Sequence, residues 1–256
     1  MRRAIERFGA IVMAGLEWAG GLAGLSLRAL VVGPKRPIGI DDIARQMVEQ
    51  GVRSLPISTF ISLFIGMILT WQFGWALAKF GATMAIGNVA SLALVCELVP
   101  TLTAITVGAK MAAGMAAELG SMKVTEQIDA VAALGADPFK KLVWPRVCAA
   151  TLSLPLLVAW GNIIAIFGGM LIAEPVYGVP ASYFYETYVD ELRPMDYVSS
   201  ITKGTMFGFL VGVIGCYQGF NTKHGTEAVG VSTTETVVAT SICIIIADFY
   251  LTMLFF

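Results

Sequence analysis

The chain has 256 residues, of which 57% are hydrophobic and 14% charged, and its mean hydropathy is +0.77. Soluble domains carry about 25% charged residues, so this composition excludes an ordinary soluble domain and indicates a membrane protein. With 17 Lys and Arg against 18 Asp and Glu, the net charge of -1 excludes a strongly basic nucleic-acid-binding protein.

The first predicted element is an amphipathic helix near the N-terminus. Ile5, Phe8 and Val12 recur at helical spacing among charged residues. A signal peptide would not carry Glu17 in its apolar core, and a sixth membrane span, which is the alternative, would place this carboxylate near mid-bilayer at high cost. We therefore expect residues 1–54 to form interfacial or elbow helices on the cytoplasmic side of the membrane.

Five apolar segments follow, each about long enough to cross a hydrocarbon core of ~30 Å. They cover residues 55–77, 84–117, 148–173, 197–217 and 231–256. The second segment is interrupted by Glu97, Pro100 and Lys110, so we expect one long span that is tilted or kinked. Residues 55–256 are thus predicted to form an all-α membrane domain with five transmembrane helices.

The distribution of Lys and Arg predicts the orientation of these spans. Basic residues, Lys35 and Arg36 among them, concentrate before the first span, and more stand between the second and third spans. Lys79 and Arg193 are the basic residues of the opposite loops. We therefore expect a cytoplasmic N-terminus, a cytoplasmic loop over residues 118–146 and, after five spans, a C-terminus on the outer side.

The residue types offer little catalytic chemistry. His224 is the single histidine and lies in a short turn that we expect to be solvated, so neither an HExxH metal site nor a Ser-His-Asp triad is formed. The sequence has no GxxxxGK(S/T) phosphate loop. The cysteines stand singly in apolar stretches, which predicts neither a disulfide framework nor a zinc site: Cys96, Cys148, Cys216 and Cys243. We expect no catalysis, metal or cofactor in this chain.

The loop between the second and third spans contains a short predicted helix over about residues 124–135. Thr125 is the expected N-cap, and Gly135 is the expected C-terminal stop before a turn at Asp137. The apolar side of the helix carries Val124, Ile128 and Val131, whereas Glu126, Gln127 and Asp129 are left for another surface. The helix either lies on the membrane or protrudes into the cleft of a partner protein.

Polar residues inside the spans are further candidates for function. Gln72 between Trp71 and Trp75 suits a cavity for an amphipathic ligand; alternatively, the two tryptophans belong to an interfacial aromatic belt. Glu97 in apolar surroundings is either a functional group or a hydrogen-bond partner of a neighbouring helix.

Lys203 and Asp248 are predicted to form a structural ion pair. Counted from the span ends at ~1.5 Å per residue, they lie within about one turn of the same depth, and opposite charges in apolar surroundings gain from pairing. Four-residue glycine spacing predicts a close-packed face that would let spans four and five approach: Gly204, Gly208 and Gly212. Alternatively, Lys203 snorkels to the outer phosphates and Asp248 caps a neighbouring helix.

The stretch that begins ELVPTL and ends VWPR resembles the signature of the MlaE (YrbE) lipid-transport permeases. Its most specific parts are AAELG, MKVTEQIDA, the DP turn and the PR that opens the third span, and the resemblance extends from Arg45 onward. The sequence departs from the family pattern at Cys96, Val99 and Lys110, where the family usually has Arg, Gly and Arg.

The resemblance implies the permease subunit of an ABC transporter that moves phospholipid between the bacterial inner membrane and an extracytoplasmic ring of MCE domains. The implied partners are a second copy of the chain, a pair of cytoplasmic ATPases that bind ATP and magnesium, the MCE ring and a small STAS-like cytoplasmic subunit. An intramembrane lipid-modifying enzyme with Glu97 and Asp248 as acid and base, or a scaffolding subunit, is the alternative.

The resemblance also implies roles for particular residues. The lipid cavity would be lined by Trp71, Gln72, Trp75, Leu77, Phe80, Glu97 and Leu98. Coupling to the ATPase would involve Glu126, Gln127, Ile128 and Asp129.

Overall fold

The computed structural model describes residues 2–33, 39–223 and 225–255, and every regular element in these ranges is helical. Five of the described helices are long and apolar enough to cross a membrane, so the prediction of an all-α protein with five spans is confirmed. Lys35, Arg36 and His224, which figured in the predictions of orientation and of a solvated turn, lie outside the described residues.

The helices are numbered in chain order. They are α1 (Arg2–Val32), α2 (Ile40–Gln50), α3 (Leu55–Ala78), α4 (Thr83–Val124), α5 (Gln127–Ala133), α6 (Phe139–Tyr177), α7 (Ala181–Glu191), α8 (Pro194–Phe220) and α9 (Thr226–Phe255). The apolar spans predicted from the sequence correspond to α3, α4, α6, α8 and α9, and most of these helices extend a few residues beyond the predicted bounds.

The N-terminal segment forms a single helix of 31 residues, α1. It contacts the bundle near its C-terminal end, where Ala29 is buried, and through Trp18, whose ring packs edge-on against Tyr217 at a centroid distance of 6.4 Å. Most of its other described side chains are exposed or half-buried. The position of α1 in the membrane interface stays a prediction.

The helix α4 is 42 residues long and contains two π-helical turns, Ala93–Leu98 and Ala104–Gly108. Pro100 lies between them. It has no N–H to donate to the carbonyl of Cys96, which is the partner that an α-helix would require, and its ring crowds that carbonyl. Wider π turns accommodate such an interruption and recur at functional sites. The irregularity expected in this span is therefore present, and the first π turn contains Glu97.

The short helix between the second and third spans begins later than predicted, because Thr125 is not its N-cap. Thr125 ends α4, and its hydroxyl donates to the Ser121 carbonyl at 2.8 Å, back into the preceding turn. Glu126 occupies the N-cap position of α5 with a left-handed backbone at φ 59°. The helix therefore has seven residues and begins at Gln127.

The end of α5 is as predicted. Gly135 has φ 81°, a conformation that costs glycine little and other residues much. Its N–H donates to the Ala132 carbonyl at 3.0 Å, and the next N–H, of Ala136, donates to the Val131 carbonyl at 3.3 Å. These two hydrogen bonds form a Schellman motif, which terminates the helix.

The close-packed glycine face of α8 contacts α6 and not α9, so the predicted partner of this face is wrong. A Cβ atom on Gly208 would lie 2.5 Å from the Ala150 carbonyl oxygen of α6. The other side of α6 meets α3 in the same way, since a Cβ on Gly66 would lie 2.1 Å from the Ala165 carbonyl oxygen. The helix α6 is thus the centre of the bundle, with α3 and α8 packed against its backbone.

The helix α7, which the sequence analysis missed, follows α6 at the end of the bundle opposite α5. Phe184 and Tyr188 on one face of α7 are fully buried, and this burial raises the pKa of the Tyr188 phenol above its ordinary value. On the same face, Glu191 accepts a hydrogen bond from Asn88 Nδ2 of α4 at 2.9 Å. The four-residue spacing of Phe184 and Tyr188 is the sequence pattern that could have predicted this helix.

We predict that Gly208→Ala destabilises the bundle, because its new methyl group would overlap the backbone of α6. Overpacking costs about 1–3 kcal/mol, part of which the better helix propensity of alanine offsets. The thermal unfolding midpoint in detergent should fall by roughly 2–8 °C.

The matched control for this substitution is Gly230→Ala in α9. Its added Cβ meets no atom within 4 Å, so the midpoint should stay equal or rise slightly. Equal midpoints for Gly208→Ala and the wild type would contradict the close packing of α6 and α8.

Candidate functional site

A fully buried lysine, Lys203 of α8, joins three spans. Its Nζ atom lies 2.7 Å from Glu97 Oε2 of α4 and 3.0 Å from Asp248 Oδ1 of α9. It donates hydrogen bonds to Glu97 Oε2, to the Cys96 carbonyl oxygen at 3.0 Å and to Thr252 Oγ1 at 2.8 Å. An ammonium group has three protons, and these three bonds use them, so the contact with Asp248 Oδ1 is mainly electrostatic.

The backbone of α4 leaves the Cys96 carbonyl free to accept one of these hydrogen bonds. Pro100 cannot donate to the Cys96 carbonyl, the acceptor four residues before it, and Lys203 donates to that same carbonyl. A buried carbonyl without a partner is costly, and so is a buried ammonium without acceptors. The Cys96 carbonyl, which Pro100 leaves without a backbone donor, and the buried ammonium of Lys203 therefore serve as each other's hydrogen-bond partners.

Two threonines complete this group, which we call the Lys203 cluster: Glu97, Thr101, Lys203, Asp248 and Thr252. Thr101 donates to Asp248 Oδ2 at 2.8 Å, and the Thr252 hydroxyl lies 3.1 Å from Glu97 Oε1. The Asp248 side chain is 17% exposed and that of Glu97 is 37% exposed. The cluster is therefore closed on the α8 side and opens outward at Glu97.

Sequence reasoning placed Glu97 in a lipid cavity and Lys203 with Asp248 alone. Counted from the predicted span ends at ~1.5 Å per residue, Glu97 lies about 18 Å deep and Lys203 about 9 Å deep, so the count predicts no contact between them. That count treats the ends of different spans as level, which is not so for helices of unequal length. The structure places all three charged side chains in one cluster, while their functional role stays a prediction.

The predicted lipid-cavity residues of the first span lie on the exposed face of α3. Trp71 and Gln72 line a small groove of about 260 Å³ between α3 and α6, together with Phe64, Met67, Ile68 and Ile172. The Trp75 ring is exposed and carries Lys79 Nζ at 3.4 Å from its centroid, a cation–π contact. Phe80, beyond the end of α3, is 83% exposed, and Leu77 is half-buried.

These seven predicted lining residues therefore fall into two groups. Trp71 and Gln72 share the groove on α3, whereas the side-chain partners of Glu97 belong to α8 and α9. Leu98, next to Glu97, is half-buried. A cavity that unites the two groups stays a prediction, and in its predicted form it needs a second copy of the chain.

The predicted coupling residues lie on α5 and at its N-cap. Glu126, Gln127 and Asp129 are exposed, and Asp129 lies 3.6 Å from Lys123 Nζ. Ile128 is buried in the same apolar core as Phe139, so it anchors the helix to the bundle and its side chain faces away from solvent. A partner that docks here would therefore meet an acidic and polar surface.

The loop that carries α5 is fastened by an ion pair between the two most specific motifs of the sequence. Glu118 of AAELG pairs with Arg146 of the PR motif, with Oε1–Nη2 at 2.6 Å and a second bond from Nε at 3.3 Å. The Arg146 side chain is 5% exposed, and its Nη1 also donates to the Leu142 carbonyl. A buried bidentate arginine of this kind has fixed geometry, so the two ends of the loop are held together.

The N-terminal helices are also attached to this loop. Arg28 of α1 lies over the Phe139 ring at 4.6 Å and 3.4 Å from Asp137. Asp42 of α2 pairs with Lys141 at 2.7 Å. The loop, α1 and α2 therefore form one connected surface at this end of the bundle.

We predict that Lys203→Met is the most destabilising single change in the Lys203 cluster, because it leaves two carboxylates without their cation. Breaking a buried pair in this way costs about 3–5 kcal/mol. Glu97→Gln and Asp248→Asn should each cost less, since Lys203 keeps one carboxylate. Thermal unfolding in detergent measures these differences.

The control for this prediction is a mutant cycle. Lys203→Met with Asp248→Asn should recover part of the lost stability, and the triple variant that adds Glu97→Gln should recover more. Strict additivity of the single effects would show that the three charges do not interact.

Comparison with known proteins agrees with this architecture. The family model "Permease MlaE" matches residues 43–254. A probable ABC transporter permease protein of Rickettsia prowazekii is 37% identical over 222 residues, covering 87% of this chain and 86% of that protein. One from Synechocystis sp. is 36% identical over 211 residues, or 82% and 80%. Protein TRIGALACTOSYLDIACYLGLYCEROL 1, chloroplastic, of Arabidopsis thaliana is 39% identical over 212 residues, or 83% and 61%. The chain belongs to the MlaE permease family.

Proposed function

We propose that this permease subunit moves phospholipid, or a related lipid, between the bacterial inner membrane and an extracytoplasmic ring of MCE domains. Two copies of the chain would form the membrane part, and a pair of cytoplasmic ATPases that bind ATP and magnesium would supply the energy. A small STAS-like cytoplasmic subunit would complete the assembly. This chain itself would hold no cofactor.

The observation that carries the proposal is the exposed acidic turn of α5 on a loop held rigidly to the bundle. Glu126 is exposed in front of α5, Ile128 anchors the helix, and the Glu118–Arg146 pair joins the two ends of the loop. A rigid protrusion transmits displacement, whereas a flexible loop would absorb it. Such a helix suits the transfer of force from an ATPase to the spans.

The exposed face of α3 supports a lipid ligand. Along α3 a stripe of large apolar side chains is exposed: Ile57, Phe60, Phe64, Ile68, Trp71 and Trp75. Gln72 interrupts this surface beside Trp71, and a polar group at that place suits a ligand with a polar end. The name of the Arabidopsis relative contains that of a glycolipid, which is in keeping with a lipid substrate.

An intramembrane enzyme is a weaker explanation of the same residues. The acid and base proposed for it, Glu97 and Asp248, both lie within 3.0 Å of Lys203 Nζ. Carboxylates that neutralise a buried lysine stabilise the fold, and their pairing accounts for their presence without a catalytic role. The ion pairing therefore favours the transport subunit.

The proposed orientation follows from charge and from the number of spans. The protein is a multi-pass membrane protein with five apolar helices. We place α1, α2 and the α5 loop in the cytoplasm, where basic residues are favoured. An odd number of spans then places the C-terminus in the periplasm.

We predict that Glu126→Lys uncouples ATP hydrolysis from lipid transfer while the permease stays folded. The substitution inverts the charge of an exposed residue whose side chain has no ion-pair partner among the described residues, so stability should change by less than about 0.5 kcal/mol. In vesicles that contain the whole transporter, ATP-driven transfer of a fluorescent phospholipid should fall at least several-fold.

The matched control is Glu186→Lys, the same change at an exposed residue of α7 on the opposite end of the bundle. This variant should keep its ATPase coupling. If Glu126→Lys transports at the wild-type rate, the proposed role of the α5 turn is wrong.

A further inference from the structure

A polar cleft of about 520 Å³ opens between α2 and α4, at the end of the bundle that carries the α5 loop. Its walls come from the last turns of α2, from the short turn that leads into α3 and from one face of α4. Arg45, Arg53 and Lys110 are the basic residues of the cleft, and Glu49 and Glu118 are the acidic ones.

The charges of the cleft do not cancel locally. Glu49 already pairs with Arg53, one helical turn away, and Glu118 already pairs with Arg146. Within the described part of the chain, Arg45 and Lys110 have no carboxylate partner. The cleft therefore presents two positive charges that its own acidic residues do not neutralise, which makes it an attractive environment for an anion.

The buried side-chain amide of Gln50 lies in the same cleft, and its oxygen has no hydrogen-bond partner among the described residues. Gln50 is 6% exposed, and its Nε2 donates to Gln46 Oε1 at 2.9 Å. An unpaired buried acceptor is costly, so Gln50 Oε1 suits a ligand that brings a hydroxyl or ammonium donor.

The cleft lies at the level where α3 enters the membrane. Ser54 immediately precedes α3 and is buried, and Lys110 Nζ lies 3.4 Å from its Oγ. A helix with the 24 residues of α3 is about 36 Å long, enough to cross the hydrocarbon core. Lys110 is thus held near the boundary of that core, the level of lipid phosphate groups.

We propose that this cleft binds a phosphate-bearing anion, in which Arg45 and Lys110 contact the phosphate oxygens and Gln50 Oε1 accepts a hydrogen bond from the same molecule. Arginine and lysine are the usual partners of phosphate in proteins. Neither the Lys203 cluster nor the α3 groove contributes to this site, so it is separate from the predicted lipid cavity. In its lipid form the inference rests on the proposed function, with the phosphate belonging to a phospholipid of the leaflet next to α2.

Native mass spectrometry of the full chain, purified in detergent without the ATPase, tests the site. The probe is dioctanoyl phosphatidylglycerol, and dioctanoyl glycerol, which has the same chains without phosphate, is the reference ligand. The double variant Arg45→Gln/Lys110→Gln should bind the phospholipid at least tenfold more weakly than the wild type. The matched control is Lys140→Gln/Lys223→Gln, which removes two positive charges from the same end of the bundle and should bind as the wild type does.

A soluble probe distinguishes the two sources of phosphate. Under the lipid form, glycerol 3-phosphate should compete only weakly with phosphatidylglycerol. If it binds as tightly as the lipid and loses affinity in the Arg45→Gln/Lys110→Gln variant, the site stands but its ligand is soluble.

Equal phospholipid binding by the wild type and both double variants overturns the site. So does equal binding of the two dioctanoyl ligands. Because binding is measured without ATP or transport, these results do not depend on whether the chain moves lipid. A failure of the proposed function would appear instead in the vesicle assay.

Discussion

A buried ammonium group has to find acceptors, and in this bundle that requirement determines how three spans are arranged. Lys203 has no access to solvent, and its acceptors come from α4 and α9 as well as from the backbone. In hydrocarbon there is little hydrophobic force to hold one apolar helix against another. Polar contacts and close packing must do so instead, and the Lys203 cluster supplies the polar contacts.

Close packing holds the other half of the bundle. The central helix α6 meets α3 at Gly66 and α8 at Gly208, where backbones approach too closely for any side chain. Since α8 takes part in both kinds of contact, it links the glycine-packed helices to the charged cluster. At the end of the bundle that carries α5, a third kind of contact, the Glu118–Arg146 pair, fixes the loop of α5 to the same framework.

Features set by local sequence could be predicted, and features set by the relation between distant segments could not. The spans follow from continuous apolar runs. The end of α5 follows from Gly135, because the helix stop requires a left-handed backbone that glycine adopts at little cost. Thr125 misled because its hydroxyl can bond either forward into a new helix or backward to Ser121, and only the fold decides. Four-residue glycine spacing correctly indicated a packing face but not which helix it contacts. Glu97 was separated from Lys203 by a depth count that ignores the offset between spans.

The charges within the spans also bear on how the protein enters the membrane. A charged residue at the centre of an isolated span raises the free energy of insertion by about 2.5–3.5 kcal/mol. Of the five apolar helices, α8 is the least hydrophobic. Its insertion into the bilayer therefore gains the least from hydrophobicity to compensate for Lys203. Glu97 is synthesised before α8 and Asp248 after it, so during translation α8 can pair first with α4, and α9 completes the coordination of its lysine.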